Sequence, residues 1–202
     1  MTDSVVKIDR SAEVGSIKLI MGCMYSGKTS KLVSEWEKWT SIGVNVVVIN
    51  YSGDDRYGSD DYMYTHTERK VPCTKTYLLG DIDESIIENN DVILVNEGQF
   101  FPDLKDNVIK WCEQNKKHVV VAGLDSDFER KKFGQMLDLV LVADDVVKVK
   151  ALCAVCRDGT RGIFTWRKTG GKEQLVRGAS NYMAVCRRHY SELSDKQCMT
   201  CT

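Results

Sequence analysis

The sequence predicts an α/β fold, a parallel sheet flanked by helices, with a small metal-stapled module after about residue 150. Three observations predict it. Short apolar runs alternate with stretches of helical periodicity up to that point. One run leads directly into the pattern G-x-x-x-x-G-K-[ST], filled by Gly22, Gly27, Lys28 and Thr29. Five of the eight cysteines crowd beyond residue 150, leaving Cys23, Cys73 and Cys112 isolated.

Ile17, Leu19, Ile20 and Met21 read as a buried strand, and Leu32, Val33, Trp36 and Trp39 recur at helical spacing. The segment GCMYSGKTS between them suits a phosphate-binding loop. Its glycines let the backbone curl so that N–H groups point inward at phosphate oxygens. Lys28 supplies a charge for the β/γ-phosphates and the Thr29 hydroxyl suits Mg²⁺, with Met24, Ser26 and Ser30 completing the loop and first helical turn. The helix aims the positive end of its dipole at the same anion. Such a loop binds a nucleoside triphosphate.

Gly43 suits the end of that helix, and Val44–Ile49 reads as a strand buried on both faces. Tyr51–Lys70 is polar, rich in Gly and Asp, and lacks periodicity. Asp83–Asn90 reads as a short helix and Val92–Val95 as a strand ending at Asn96-Glu97-Gly98-Gln99. Leu104, Val108, Trp111 and Cys112 mark an amphipathic helix, and Val119–Ala122 a further strand. Ligands of parallel sheets gather at the carboxyl ends of strands, where the phosphate loop, Glu97 and Leu124–Phe128 all fall.

At 202 residues with 43% apolar and 28% charged content, the chain can bury a substantial core. A net charge of −1 gives no electrostatic footprint for nucleic acid. No stretch approaches the roughly 20 apolar residues of a membrane span, and the polar start MTDSVVKIDRS does not resemble a signal peptide. A cytosolic or nuclear compartment is therefore expected, with cytoplasmic the preferred reading, and there cysteines bind metal more often than they form disulfides.

Cys153-x2-Cys156 and Cys186-x2-His189 are separated by 29 residues. Two pairs, each across a tight turn, present four donors tetrahedrally to Zn²⁺. A third pair, Cys198 and Cys201, stands in the tail and could replace either of them on spacing alone.

The loop GCMYSGKTS, the strand end NEGQFFPD and the CxxC…NYMAVCRRH arrangement together resemble the type II thymidine kinases, the cellular and poxviral kind. DDRYGSDDYMYTH and the stretch from AGLDSDF to KALC extend the similarity from about Gly15 to His189. The resemblance implies a RecA-like P-loop core over 1–150, a zinc module carrying a lasso-like loop over 151–192 that closes on the nucleoside, and a tail over 193–202. It implies transfer of the ATP γ-phosphate to the 5′-hydroxyl of thymidine or deoxyuridine, with Mg²⁺, feedback inhibition by dTTP and a homotetramer. Glu97 matches the general base. Met24, Phe101, Leu124, Phe128, Phe133, Thr165, Val176 and Tyr182 match nucleoside-pocket positions, and Asp54 the aspartate that helps hold the magnesium shell through water. Two residues depart from the pattern. Asn96 stands where the family usually has Asp, and His189 replaces the commoner fourth cysteine.

Two competing readings use the same motifs: a nucleotide-bound regulatory relative slowed by Asn96, and a RecA-like ATPase acting on nucleic acid. The intact Lys28, Thr29 and Glu97 weigh against the first, the neutral charge against the second.

Overall fold

The computed structural model describes residues 14–53, 61–64, 69–169, 173–174 and 178–199. In chain order the elements are β1 (Ser16–Met21), α1 (Lys28–Thr40), β2 (Val46–Tyr51), β3 (Tyr62–Tyr64), β4 (Lys70–Pro72), β5 (Thr74–Thr76), α2 (Glu84–Glu88), β6 (Val92–Val95), α3 (Leu104–Ile109) and β7 (His118–Gly123). There follow β8 (Asp145–Lys148), β9 (Ala151–Leu152), β10 (Arg161–Gly162), β11 (Phe164–Arg167), β12 (Tyr182–Val185) and α4 (Arg187–Met199).

Six strands form one sheet in the order β5-β2-β6-β7-β1-β8, every pair parallel. The apolar runs of the sequence are its inner strands because both faces are covered. Ile17, Leu19 and Met21 of β1, with Ile93 and Val95 of β6, face α3 and share a core with Leu104, Val108 and Trp111. Ile20, Val92, Leu94 and Val120 point the other way, onto Leu32, Val33 and Trp39 of α1. Full burial of each such side chain contributes about 1.5–3 kcal/mol, so these two cores fix the sheet in register.

A strand or helix is present at each expected segment, but β2 runs over Val46–Tyr51 where Val44–Ile49 was expected, and α3 gives way at Lys110–Gln114 to a π-helical turn that carries Trp111 and Cys112. The helix expected at Asp83–Asn90 is shorter, beginning after Asp83, whose side chain accepts the Ser85 N–H. Gly43 takes φ 77° just past α1, with its N–H on the Thr40 carbonyl. β8, the β3–β4 hairpin and β5 have no counterpart in the expectations. Beyond β8 come two small antiparallel pairs, β9–β10 and β11–β12. α4 runs across the boundary expected between 192 and 193, its Leu193 packed on a third small core of Cys153, Val185, Cys186 and Tyr190. Among the described residues no helix is long and apolar enough to cross a membrane.

Two features position the site. β1 and β6 end at the same sheet edge with β7 between them. The chain after β8 returns over that edge, where Cys23, Ala151 and Ala184 form a small buried cluster.

Candidate active site

The phosphate loop leaves β1 at Gly22 and enters α1 at Lys28. A Cβ at Gly22 would lie 2.3 Å from the Val149 carbonyl oxygen, so only glycine fits beneath the β8 exit. Gly27 holds φ 81°, a left-handed conformation natural to glycine. Ser26 Oγ and Lys28 Nζ both donate to the Cys23 carbonyl, each at 2.8 Å, which curls the loop tightly. Thr29 and Ser30 occupy the first turn of α1, which carries no acidic residue to offset the positive end of its dipole. Two bonds tie the loop to the far module: Met24 N–H donates to Thr165 Oγ1 at 3.0 Å, and the Cys23 thiol to the Gly162 carbonyl at 3.5 Å. Burial pushes the Cys23 thiol pKa up and keeps it protonated.

At the end of β6, Asn96 and Glu97 are buried, 3% and 8% exposed. Asn96 Nδ2 donates to Asn50 Oδ1 at 2.9 Å, joining the ends of β6 and β2. Glu97 adopts φ 55°, left-handed and costly for a residue with a side chain. That conformation starts a single 3₁₀ turn over Gly98–Phe100. Gly98 is required there, since a Cβ would stand 2.7 Å from Met136 Sδ and from Val121 Cγ1. Gln99 reaches back so that its Nε2 donates to Glu97 Oε2 at 2.6 Å, while its Oε1 accepts the Leu124 N–H at 2.9 Å.

The turn sorts the two phenylalanines that follow. Phe101, expected as a pocket wall, is wholly buried in the core and packs edge-on against Tyr51. Phe100 is the ring that meets Phe133, edge to face at 5.4 Å. Leu124 and Phe128 leave the end of β7 as expected. Asp127 holds their turn by accepting the Glu129 and Lys131 N–H groups and the Gln174 side-chain amide. Thr165 and Tyr182 are buried on β11 and β12. Arg167, two residues beyond Thr165 on the same buried face of β11, lies 3.7 Å over the Phe128 ring and donates to the Thr169 and Glu173 carbonyls. Asp54, Val176 and Cys201 lie outside the described residues, and the Cys198 side chain is likewise not described.

Gln99, Phe100 and Arg167 were not among the expected site residues. Phe100 and Phe101 are adjacent letters that only the 3₁₀ turn tells apart. For Arg167 a signal existed, the i, i+2 alternation from Thr165 that gives one strand face.

Cys153, Cys156, Cys186 and His189 bring one donor atom each to within 4.8 Å of one another. His189 Nδ1 stands 3.6, 3.3 and 3.4 Å from the sulfurs of Cys153, Cys156 and Cys186, and Cys156 Sγ lies 3.8 Å from Cys186 Sγ. Zn–S bonds of about 2.3 Å in a tetrahedron give edges of about 3.8 Å, so the four donors fit zinc. Burial raises the Cys153 thiol pKa, yet backbone N–H groups of Cys156, Cys186 and Val155 outweigh it and hold the pKa at about 6, favouring the thiolate a metal needs.

The family model for thymidine kinase matches residues 15–190. A thymidine kinase of Oryza sativa subsp. japonica is 41% identical over 182 residues, 87% of this chain and 66% of the rice protein. Thymidine kinase a of Arabidopsis thaliana is 38% identical, matched over 75% of its length. A variola virus thymidine kinase is 36% identical over 97% of its length. Among solved structures, AMPPCP-bound DnaA from Aquifex aeolicus aligns with 67% of this chain and 41% of its own at 11% identity and a TM-score of 0.43, a distant likeness.

Proposed function

Because the chain belongs to the thymidine kinase family, we infer that it transfers the γ-phosphate of ATP to the 5′-hydroxyl of thymidine and of deoxyuridine. Thymidine gives dTMP, with ADP as the second product, a salvage step that supplies DNA synthesis. Glu97 carries this reading: a nearly buried carboxylate, held in a left-handed turn at the end of β6, on the sheet edge that also bears the phosphate loop.

Glu97 accepts the proton of the 5′-hydroxyl as that oxygen bonds to the γ-phosphorus and the bond to the ADP oxygen breaks. The backbone from Gly22 to Ser30 and Lys28 hold the phosphates. Thr29, and Asp54 through water, would hold Mg²⁺, which supplies neutralisation of charge on the β/γ oxygens. Met24, Leu124, Phe128, Phe133, Thr165, Val176 and Tyr182 line the nucleoside side, with Phe100 in the place first expected of Phe101. The stacking of Arg167 on Phe128 and its bonds to Thr169 and Glu173 support a lasso anchored beside that wall. Zinc at Cys153, Cys156, Cys186 and His189 is structural and closes the base of that module. A cytoplasmic homotetramer inhibited by dTTP completes the reading.

The test is transfer of labelled γ-phosphate from ATP to thymidine, run beside ATP hydrolysis with and without DNA. Labelled dTMP, with no stimulation by DNA, is expected. DNA-stimulated hydrolysis without dTMP would overturn the reading.

A further inference from the structure

Gln99 is 2% exposed, and both ends of its amide are committed. Leu124 offers an N–H, which only the amide oxygen can accept, and it meets Oε1 at 2.9 Å. That choice fixes the other end, so an N–H donor rather than a second oxygen faces Glu97 Oε2 at 2.6 Å. A flipped amide would set oxygen against carboxylate and N–H against N–H.

The backbone around Gln99 leaves it little freedom. A Cβ on Gly123 would lie 2.8 Å from its Oε1, and one on Gly134 would lie 2.1 Å from its carbonyl oxygen. Gly123 thus makes room for the side-chain amide and Gly134 for the backbone that carries it, and the Leu124 N–H sets the sense of the amide.

We propose that Gln99 is the positioning residue of the phosphoryl transfer: it aims the Glu97 carboxylate and keeps it ionised, and through Leu124 it ties the base to the nucleoside side of the pocket. The inference rests on Glu97 being the base. A donated N–H at this distance favours the charged form of a carboxylate over the protonated one. Without it Glu97 takes up a proton at higher pH, and the acidic limb of the rate profile moves up.

The experiment measures kcat against pH for wild type, Gln99→Met, Gln99→Glu and Glu97→Gln. Gln99→Met keeps the shape and removes the donor. Gln99→Glu puts a second carboxyl against the first, so the pair shares a proton. A 10- to 100-fold loss of kcat at neutral pH, with the acidic limb raised by about one pH unit, is expected for Gln99→Met; for Gln99→Glu the limb rises further. A loss of kcat with the limb unmoved would mean Gln99 only supports the fold, and an unchanged kcat would mean it supports nothing; either overturns the proposal. If Gln99→Met does not fold, the limb of the isosteric Gln99→Glu decides alone. Glu97→Gln separates the two claims. If it stays active, the assignment of the base fails; if it is inactive while the Gln99 limbs stay put, only the role of Gln99 fails.

Discussion

Asn96 stands one residue before Glu97, where the resemblance leads one to expect an aspartate, and the fold has absorbed the change through a partner. Its Nδ2 donates to Asn50 Oδ1, and both side chains are 3% exposed. An aspartate in its place would need the Asn50 amide to turn and donate, and would bury a charge that only a cation nearby could balance. Asn96→Asp is therefore expected to lower Tm without added Mg²⁺ by about 2–8 °C, from roughly 1–2 kcal/mol at 2–4 °C per kcal/mol. It is also expected to lower the Mg²⁺ concentration for half-maximal activity. A magnesium titration at fixed ATP, with thermal melts at both extremes, checks the pair. A midpoint and a Tm both equal to wild type would place residue 96 outside the metal's reach. At this scale the sequence was most informative where a residue type has one use. Gly22, Gly27 and Lys28 were legible from spacing because they belong to one short loop and the helix start it leads into, and so were the zinc pairs, each within four residues, although spacing left the tail pair as an alternative. Gln99 was not, because its partners are Glu97 two residues back and Leu124 on another strand's exit.

Elements were legible in proportion to how completely the fold buries them. β6 and β7 read as apolar runs, and β1 as one broken only by Lys18, because helices cover both faces of the sheet. β8 has the same parallel pairing to β1, yet Asp145–Lys148 is largely exposed at the sheet's edge and carries no such run. The β3–β4 hairpin borders a polar, glycine-rich segment whose composition hides the alternation that buries Met63 and Val71. Turns that join elements were the hardest to foresee, and Gly134 shows why. It carries φ 57°, and a Cβ there would lie 2.1 Å from the Gln99 backbone oxygen, so the segment after β7 rests on the turn after β6 through bare backbone. Gly98 is crowded by the flexible end of Met136 as well as by Val121. Gly134→Ala is thus expected to cost about 2–4 kcal/mol, more than Gly98→Ala at about 1–3, because backbone cannot yield as a methionine can. Urea denaturation of both variants checks the order. Equal stabilities, or the reverse order, would show that the two segments do not bear on each other there.

Across the whole molecule, the phosphate loop and the metal module are held as one unit by Met24 on Thr165 and Cys23 on Gly162, above the shared cluster of Cys23, Ala151 and Ala184. Sequence separation hid these contacts, although the two motifs were each recognisable alone. About one zinc per chain is expected, lost in Cys153→Ser and in Cys186→Ser and kept when Cys198 and Cys201 are both changed to Ser. Retention of zinc by the first two and its loss from the last would move the site to the tail pair. The central claim is that a buried carboxylate at the end of β6 performs the proton transfer of a thymidine kinase. The most direct measurement of it is single-turnover transfer of the ATP γ-phosphate to thymidine by purified Glu97→Gln, with ATP binding measured on the same sample. The amide keeps the shape of Glu97 but cannot take a proton, so transfer is expected to fall by about 10²- to 10⁴-fold while ATP binds within about threefold of wild type. Transfer at more than about a tenth of the wild-type rate would contradict the account.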